Sequence, residues 1–218
     1  MASSVVWVNT DTMRLTHVRE LGRAFGSLTW VEWRQGSWWA CLAHYDGRGG
    51  EKGYDHRATV LVRYDSKFKA RATYRFPDSV LTKFAPSSSS GGSWNFDGLL
   101  YVTGHDKREM YALGLPARSN TLIHVATISI PTAGQAIAWD PLMPRMLWSI
   151  ELATKTLVAS LVPNVNNDLG SGTYRKNRHL NCATQIKQMF SLIRPARTVI
   201  TTTAAAVDAS AQCIIISQ

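Results

Sequence analysis

Cysteine is scarce in this chain. The three residues at positions 41, 182 and 213 are too few and too scattered for a disulfide framework, and no Cys-x-x-Cys spacing offers a metal site. Cys41, between Ala40 and Leu42 in an apolar stretch, is most simply a small buried side chain. No apolar run approaches the ~18 residues needed to span a bilayer, and the N-terminus lacks the basic start and apolar core of a signal peptide. As written, the chain is expected to be soluble and not exported. Catalytic signatures are missing too: there is no Gly-x-Ser-x-Gly elbow, no His-Glu-x-x-His, no phosphate loop and no dinucleotide fingerprint. Tryptophan is abundant and then stops: all eight lie before residue 149.

What is present is a unit that recurs imperfectly. A Gly/Ser-rich lead into a tryptophan is followed by a short apolar strand ending in His-Asp or a related pair. It reads GSLTW (Gly26 to Trp30) then WWACLAHYD (Trp38 to Asp46). It returns as GGSWNFDG (Gly91 to Gly98) then LLYVTGHD (Leu99 to Asp106), and again as GQAIAWD (Gly134 to Asp140) then RMLWSIE (Arg145 to Glu151). Each unit continues into further short segments rich in β-branched and aromatic residues and bounded by Gly, Pro, Asp or Ser. Repetition at roughly 40–60 residues with about four short strands per period is the signature of a β-propeller. The expected fold class is therefore all-β: a partial propeller of antiparallel blades at about 27–78, 90–131 and 134–163. Residues 5–20 form the outer half of a preceding blade. The polar, Gly-rich stretch Asp46 to Arg57 (DGRGGEKGYDHR) is expected as a loop insertion.

A propeller closes only when some four to eight blades bury their faces against neighbours. Three and a half blades over residues 1–163 form an open arc, which is expected to be part of a longer propeller. Its open edges, around Val5 to Val8 and after Val162, would expose apolar surface and favour self-association. Beyond them, residues 164–218 differ abruptly in composition and carry no blade signature. This tail is expected to be irregular or weakly helical, with a short amphipathic helix over Ala183 to Ile193, or to be an aberrant terminus.

The charge balance is basic, +9 overall, with 18 Lys/Arg against 13 Asp/Glu in residues 1–163 and 6 against 2 in residues 164–218. Such a balance permits nonspecific contact with polyanions. The clusters Lys67 to Arg71 and Arg175 to Arg178 are short, however, and belong to no nucleic-acid-binding module. They are expected to be solvated turns, and no specific nucleic-acid partner is predicted. Ser87 to Ser90, just before an anchor strand, reads as an inter-blade connection. Trp94 reads as an indole packed between blades.

Candidate site residues follow from position. In a four-stranded blade, the connection leaving the second strand lies on the face where propellers usually bind ligands. His44 with Asp46, His105 with Asp106, and Glu151 all fall at second-strand ends, presenting imidazole or carboxylate to one rim. Such ligands could hold a divalent ion, with oxygens favouring Ca2+, or act as general acid and base. For a metal, Asp106 and His105 are the leading pair. The structural alternative is that they make turns or tie blades together.

The stretches SLTWVEWRQGSWWACLAHYDGRGG, SGGSWNFDGLLYVTGHDKREMYALGLP and GQAIAWDPLMPRMLWSI resemble a group of mostly bacterial propeller proteins. That group is similar in outline to six-bladed folds of the gluconolactonase and strictosidine-synthase kind. The resemblance covers about residues 3–163 and implies a six-bladed parent. Related enzymes use an axial calcium whose ligands come from all around the ring, so no catalytic residue is carried over. At Glu151 this chain departs from the expected Arg-like continuation. Two functions are expected from these observations. One is a non-enzymatic scaffold that binds a small molecule, glycan or protein on its His-Asp face. The other is a calcium-dependent lactonase or esterase.

Overall fold

In the computed structural model, the described residues are 2–165 together with 178–181, 184–186, 200–202 and 211–216. The chain opens with a hairpin of β1 (Ala2–Asn9) and β2 (Arg14–Arg23). An antiparallel meander follows, made of β3 (Ser27–Arg34), β4 (Ser37–Ala43), β5 (Val60–Tyr64) and β6 (Ala70–Arg75). A helix, α1 (Asp78–Phe84), leads into a second meander of β7 (Gly91–Trp94), β8 (Leu100–Thr103), β9 (Glu109–Gly114) and β10 (Ile123–Ser129). A third comprises β11 (Ile137–Trp139), β12 (Met146–Glu151) and β13 (Thr156–Leu161).

Segments after residue 165 add edges to these sheets. β14 (Arg178–Asn181) runs parallel to β10, β15 (Thr184–Ile186) pairs antiparallel with β13, and β16 (Ile200–Thr202) pairs with β17 (Ala211–Ile216). β17 in turn lies antiparallel to β1, with Val5 opposite Ile215. The result is four sheets: β16-β17-β1-β2, β3-β4-β5-β6, β7-β8-β9-β10-β14 and β11-β12-β13-β15. The fold is all-β and propeller-like, and the described strands do not close into a barrel.

The burial pattern explains why the strands do not simply alternate. β4 (SWWACLA), β8 (LYVT) and most of β9 (EMYALG) are buried on both faces, whereas β6 alternates between exposed and partly exposed residues. A strand in the middle of a sheet packed between two other sheets has no solvent side, so both sets of side chains must be apolar. The first strands of successive sheets lie side by side, β3 against β7 and β7 against β11, with β17 against β3.

Three apolar clusters fill the gaps between neighbouring sheets. Val5, Val31, Trp38 and Leu42 join the first two, with Trp38 stacked on Phe68 at 5.1 Å. Trp30, Trp39, Leu61, Val102 and Tyr111 join the second and third. Leu99, Tyr101, Ile137, Trp139 and Leu147 join the third and fourth. Trp30 shows how a repeat tryptophan works: its ring lies across Gly92 on the neighbouring β7, where a Cβ would collide with it. Its Nε1 donates to the Ser89 hydroxyl at 3.1 Å. Ser88 and Ser89 are themselves buried, Ser88 bonded to Thr59 at 2.7 Å, so this serine run forms the connection between two sheets.

Three expectations change. The edge at Val5 is covered: Val5 and Val6 are buried, because β17 pairs along β1 and the second sheet packs beneath it. Val162 is buried as well, packed into the third cluster. Within the segment expected as a short helix, Thr184–Ile186 is a strand drawn onto the open edge of β13, and residues 187–193 lie outside the described residues. α1 was unassigned. It begins after Pro77, carries Asp78 in its first turn and Lys83 in its last in accord with the helix dipole, and buries Val80, Leu81 and Phe84 on one face.

The basic cluster Lys67 to Arg71 occupies the β5–β6 turn. There the Asp65 carboxylate accepts from the backbone N–H groups of Lys67 and Lys69 and from the Arg71 guanidinium at 2.7 Å.

Candidate functional site

The ends of β4, β8 and β12 carry His44, His105 and Glu151 at corresponding points of their sheets, and their side chains have different fates. His44 is fully buried rather than open to the rim. The insertion folds back over it: the Glu51 N–H donates to its Nδ1 at 3.2 Å, and Phe25 and Tyr54 flank the ring at 4.6 and 5.5 Å between centroids. Accepting at Nδ1 leaves the proton on Nε2, which finds no acceptor among the described residues. Burial disfavours the cation and lowers the His44 pKa. A neutral, enclosed imidazole is a packing element, and the expectation that it faces a ligand fails because the inserted loop takes that position.

Asp46 is held by the same insertion. His56, at the start of a short 3₁₀ turn (His56–Ala58), donates to Asp46 twice, from Nδ1 at 2.6 Å and from its backbone N–H at 3.1 Å. The imidazole bond holds the Asp46 carboxyl below the usual carboxylate range. Asp55 caps that turn, accepting from the Arg57 backbone and guanidinium, each at 2.9 Å. Asp46, Asp55 and His56 bring potential ligand atoms within 4.8 Å of one another.

His105 and Asp106 remain at the surface, with side chains 40% and 43% exposed, and bond to each other at 2.8 Å. Asp106 has further company. Burial opposes its ionisation, but hydrogen bonds from His105 and Ser87 and the nearby positive charge of Arg48 hold its pKa below the usual value. Arg48 reaches out of the insertion to the Ser87 hydroxyl at 3.5 Å. A guanidinium, a hydroxyl, a carboxylate and an imidazole thus gather from two sheets and one inserted loop.

Glu151 does not join them. Its carboxylate pairs with Arg108 at 3.1 Å and accepts from the Ala133 N–H at 3.4 Å, tying the fourth sheet to the third. A Ca2+ ion requires about 6–8 oxygen ligands. Of the residues expected to supply them, Asp46 alone joins such a group, with Asp55 and His56, while His44 is enclosed, Glu151 is ion-paired and Asp106 is bonded to His105. The second-strand residues do not fit an axial calcium.

Two features escaped the sequence reading. Arg48 sits in a Gly-rich insertion, and only folding aims it at Asp106. Glu32 is a lone carboxyl in the apolar strand β3, which was the available signal. It accepts from the Trp94 N–H at 2.7 Å and from the Ser93 hydroxyl at 3.1 Å on the neighbouring sheet. Burial raises its pKa to about 8 despite these bonds.

No family model matches the chain, and no curated protein sequence does. Among solved structures, one chain from "Crystal Structure of Mitotic Checkpoint Complex" is similar over 97% of this chain and 69% of its own, at 11% identity and a TM-score of 0.39. No residue, partner or activity is transferred from so distant a likeness. The chain itself defines the class: an all-β, propeller-like protein of four packed sheets, in which no described helix is long and apolar enough to cross a membrane.

Proposed function

We propose that this protein is a non-enzymatic scaffold, similar in outline to propellers of the gluconolactonase and strictosidine-synthase kind. It binds a polar small molecule, glycan or protein segment at the rim built from Arg48, Ser87, His105 and Asp106. One observation carries the reading: the insertion between β4 and β5 delivers Arg48 beside Asp106 and His105, so that accessible groups of both signs lie together over the buried hydroxyl of Ser87. Such mixed groups read a ligand by hydrogen bonding and need no chemical step. Asp46 and His56, bonded to each other, brace the insertion beneath them.

The calcium-dependent hydrolase loses support because its ligands do not converge. The test is an NMR titration with cationic, anionic and neutral polar fragments against the wild type and Asp106→Ala. Shifts centred on Arg48, Ser87, His105 and Asp106 that vanish in the variant support the reading. Shifts confined to other surfaces count against it.

A further inference from the structure

The opposite rim is made by the first hairpin turn of three successive sheets: residues 34–37 between β3 and β4, 95–99 between β7 and β8, and 140–145 between β11 and β12. Among these turns lie two adjoining cavities of about 370 and 420 Å³ that share Asn95, Phe96 and Trp139. Each falls in the size range of small-molecule sites, about 300–1,000 Å³.

Folding does not account for three features there. Phe96 is 78% exposed, although its backbone is fixed by a bond from its N–H to Asn95 Oδ1 at 2.8 Å. An exposed aromatic ring at the mouth of two cavities offers a ligand a flat apolar face. Second, Trp94 and Trp139 line the cleft at 7% and 8% exposure, yet neither Nε1 finds an acceptor among the described residues. Trp30 and Trp148, by contrast, donate to Ser89 and Asp140. A buried indole N–H normally has a partner, and leaving it unpaired is costly. Third, charged groups meet the aromatic wall: the Arg34 guanidinium lies 4.1 Å from the centre of the Trp94 ring, with Glu32 and Asp140 on the same cleft.

We infer that this cleft binds a neutral saccharide of two or more sugar rings, with Phe96 stacked on a ring face and Arg34, Asn95 and Asp140 exchanging hydrogen bonds with its hydroxyls. A sugar ring has an apolar C–H face that suits an aromatic platform. Its hydroxyls both donate and accept, matching a wall that alternates N–H donors with carboxyl and amide oxygens. The two cavities meeting at Phe96 and Trp139 suit an elongated ligand. A charged ligand is less well served. Arg34 and Arg145 stand against Asp97 and Asp140, and burial keeps Glu32 protonated at neutral pH, so the cleft offers no surplus of one sign. A quaternary ammonium ion would compete for an aromatic face that Arg34 already covers.

The test is a titration of the full chain with cello-, xylo-, malto- and chito-oligosaccharides, read by tryptophan fluorescence and by calorimetry. At least one series is expected to bind. Phe96→Ala, an exposed change, should weaken that binding by about tenfold or more without lowering Tm. Arg34→Met is a second probe of the same cleft and should also weaken it. Asp106→Ala, on the other rim, should leave it unchanged, so failure here is distinguishable from failure of the His105–Asp106 site. The inference is overturned if no series binds, if Phe96→Ala leaves binding intact, or if tetramethylammonium binds the cleft while the saccharides do not.

Discussion

Glu32 on β3 accepts a 2.7 Å hydrogen bond from the backbone N–H of Trp94 on β7, so a buried carboxyl joins the inner strands of two sheets. Its pKa of about 8 lies well above the 4.5 ordinary for a glutamate, chiefly because burial penalises the charged form. The folded protein therefore keeps a proton that the unfolded chain releases. This contribution to stability is complete below about pH 4.5, declines as pH rises, and is gone above about pH 8. Chemical denaturation across this window should show wild-type stability falling with pH. Glu32→Gln keeps an acceptor for the Trp94 N–H and turns an NH2 to the Ser93 hydroxyl, which can accept as well as donate, and it should flatten the profile. An unchanged slope in the variant would assign the pH dependence elsewhere.

Trp30 fills the space over Gly92 and bonds Ser89, so two changes probe one contact. Trp30→Ala should cost ~3–5 kcal/mol, as expected for removing a large buried aromatic. Gly92→Ala should cost ~1–3 kcal/mol by overpacking. Urea unfolding would measure both. If Gly92→Ala were neutral, the ring would have to be free to move.

The two carboxylate–imidazole pairs should behave differently. Asp106 and His105 are partly exposed, so Asp106→Ala should shift stability by no more than ~0.5 kcal/mol. Asp46→Ala removes the acceptor of a buried His56 ring and should cost ~1–3 kcal/mol. Equal costs would mean that the exposed pair is architectural and not a ligand rim.

Covering of β1 by β17 carries its own test. A chain ending at residue 199 uncovers the edge of β1 beside Val5 and Val6. An unpaired strand edge templates association. Light scattering should show the shortened chain self-associating more than the full one, and equal behaviour would mean that β17 does not protect that edge.

Addition of Ca2+ or of a chelator should leave Tm unchanged, because among the described residues the expected ligands do not gather beyond Asp46, whose trio with Asp55 and His56 offers two carboxylates against the about 6–8 oxygens that Ca2+ takes. A calcium-dependent rise in Tm would restore the metal reading.

The local sequence determined the strands and their grouping. Runs such as WWACLA and LLYVT, each after a Gly/Ser–Trp lead, encode strands buried on both faces, and the recurring turns separate them. The role of Trp94 as an inter-sheet indole was legible for the same reason, since such a ring at a strand end must find another sheet. The α1 helix was legible in principle from Pro77-Asp78 and the spacing of Val80, Leu81 and Phe84, but seven residues give a weak period. Tertiary structure decided the rest. Whether an imidazole at a strand end meets solvent depends on where an inserted loop of free length comes to lie, and this one buries His44 while leaving His105 open. Pairing of β17 with β1 joins residues some 200 positions apart, a contact no local pattern encodes. The protonation of Glu32 likewise follows from the walls around it: the same Glu in an isolated strand would be ionised, and only burial in the fold raises its pKa, against the lowering pull of its hydrogen bonds from β7.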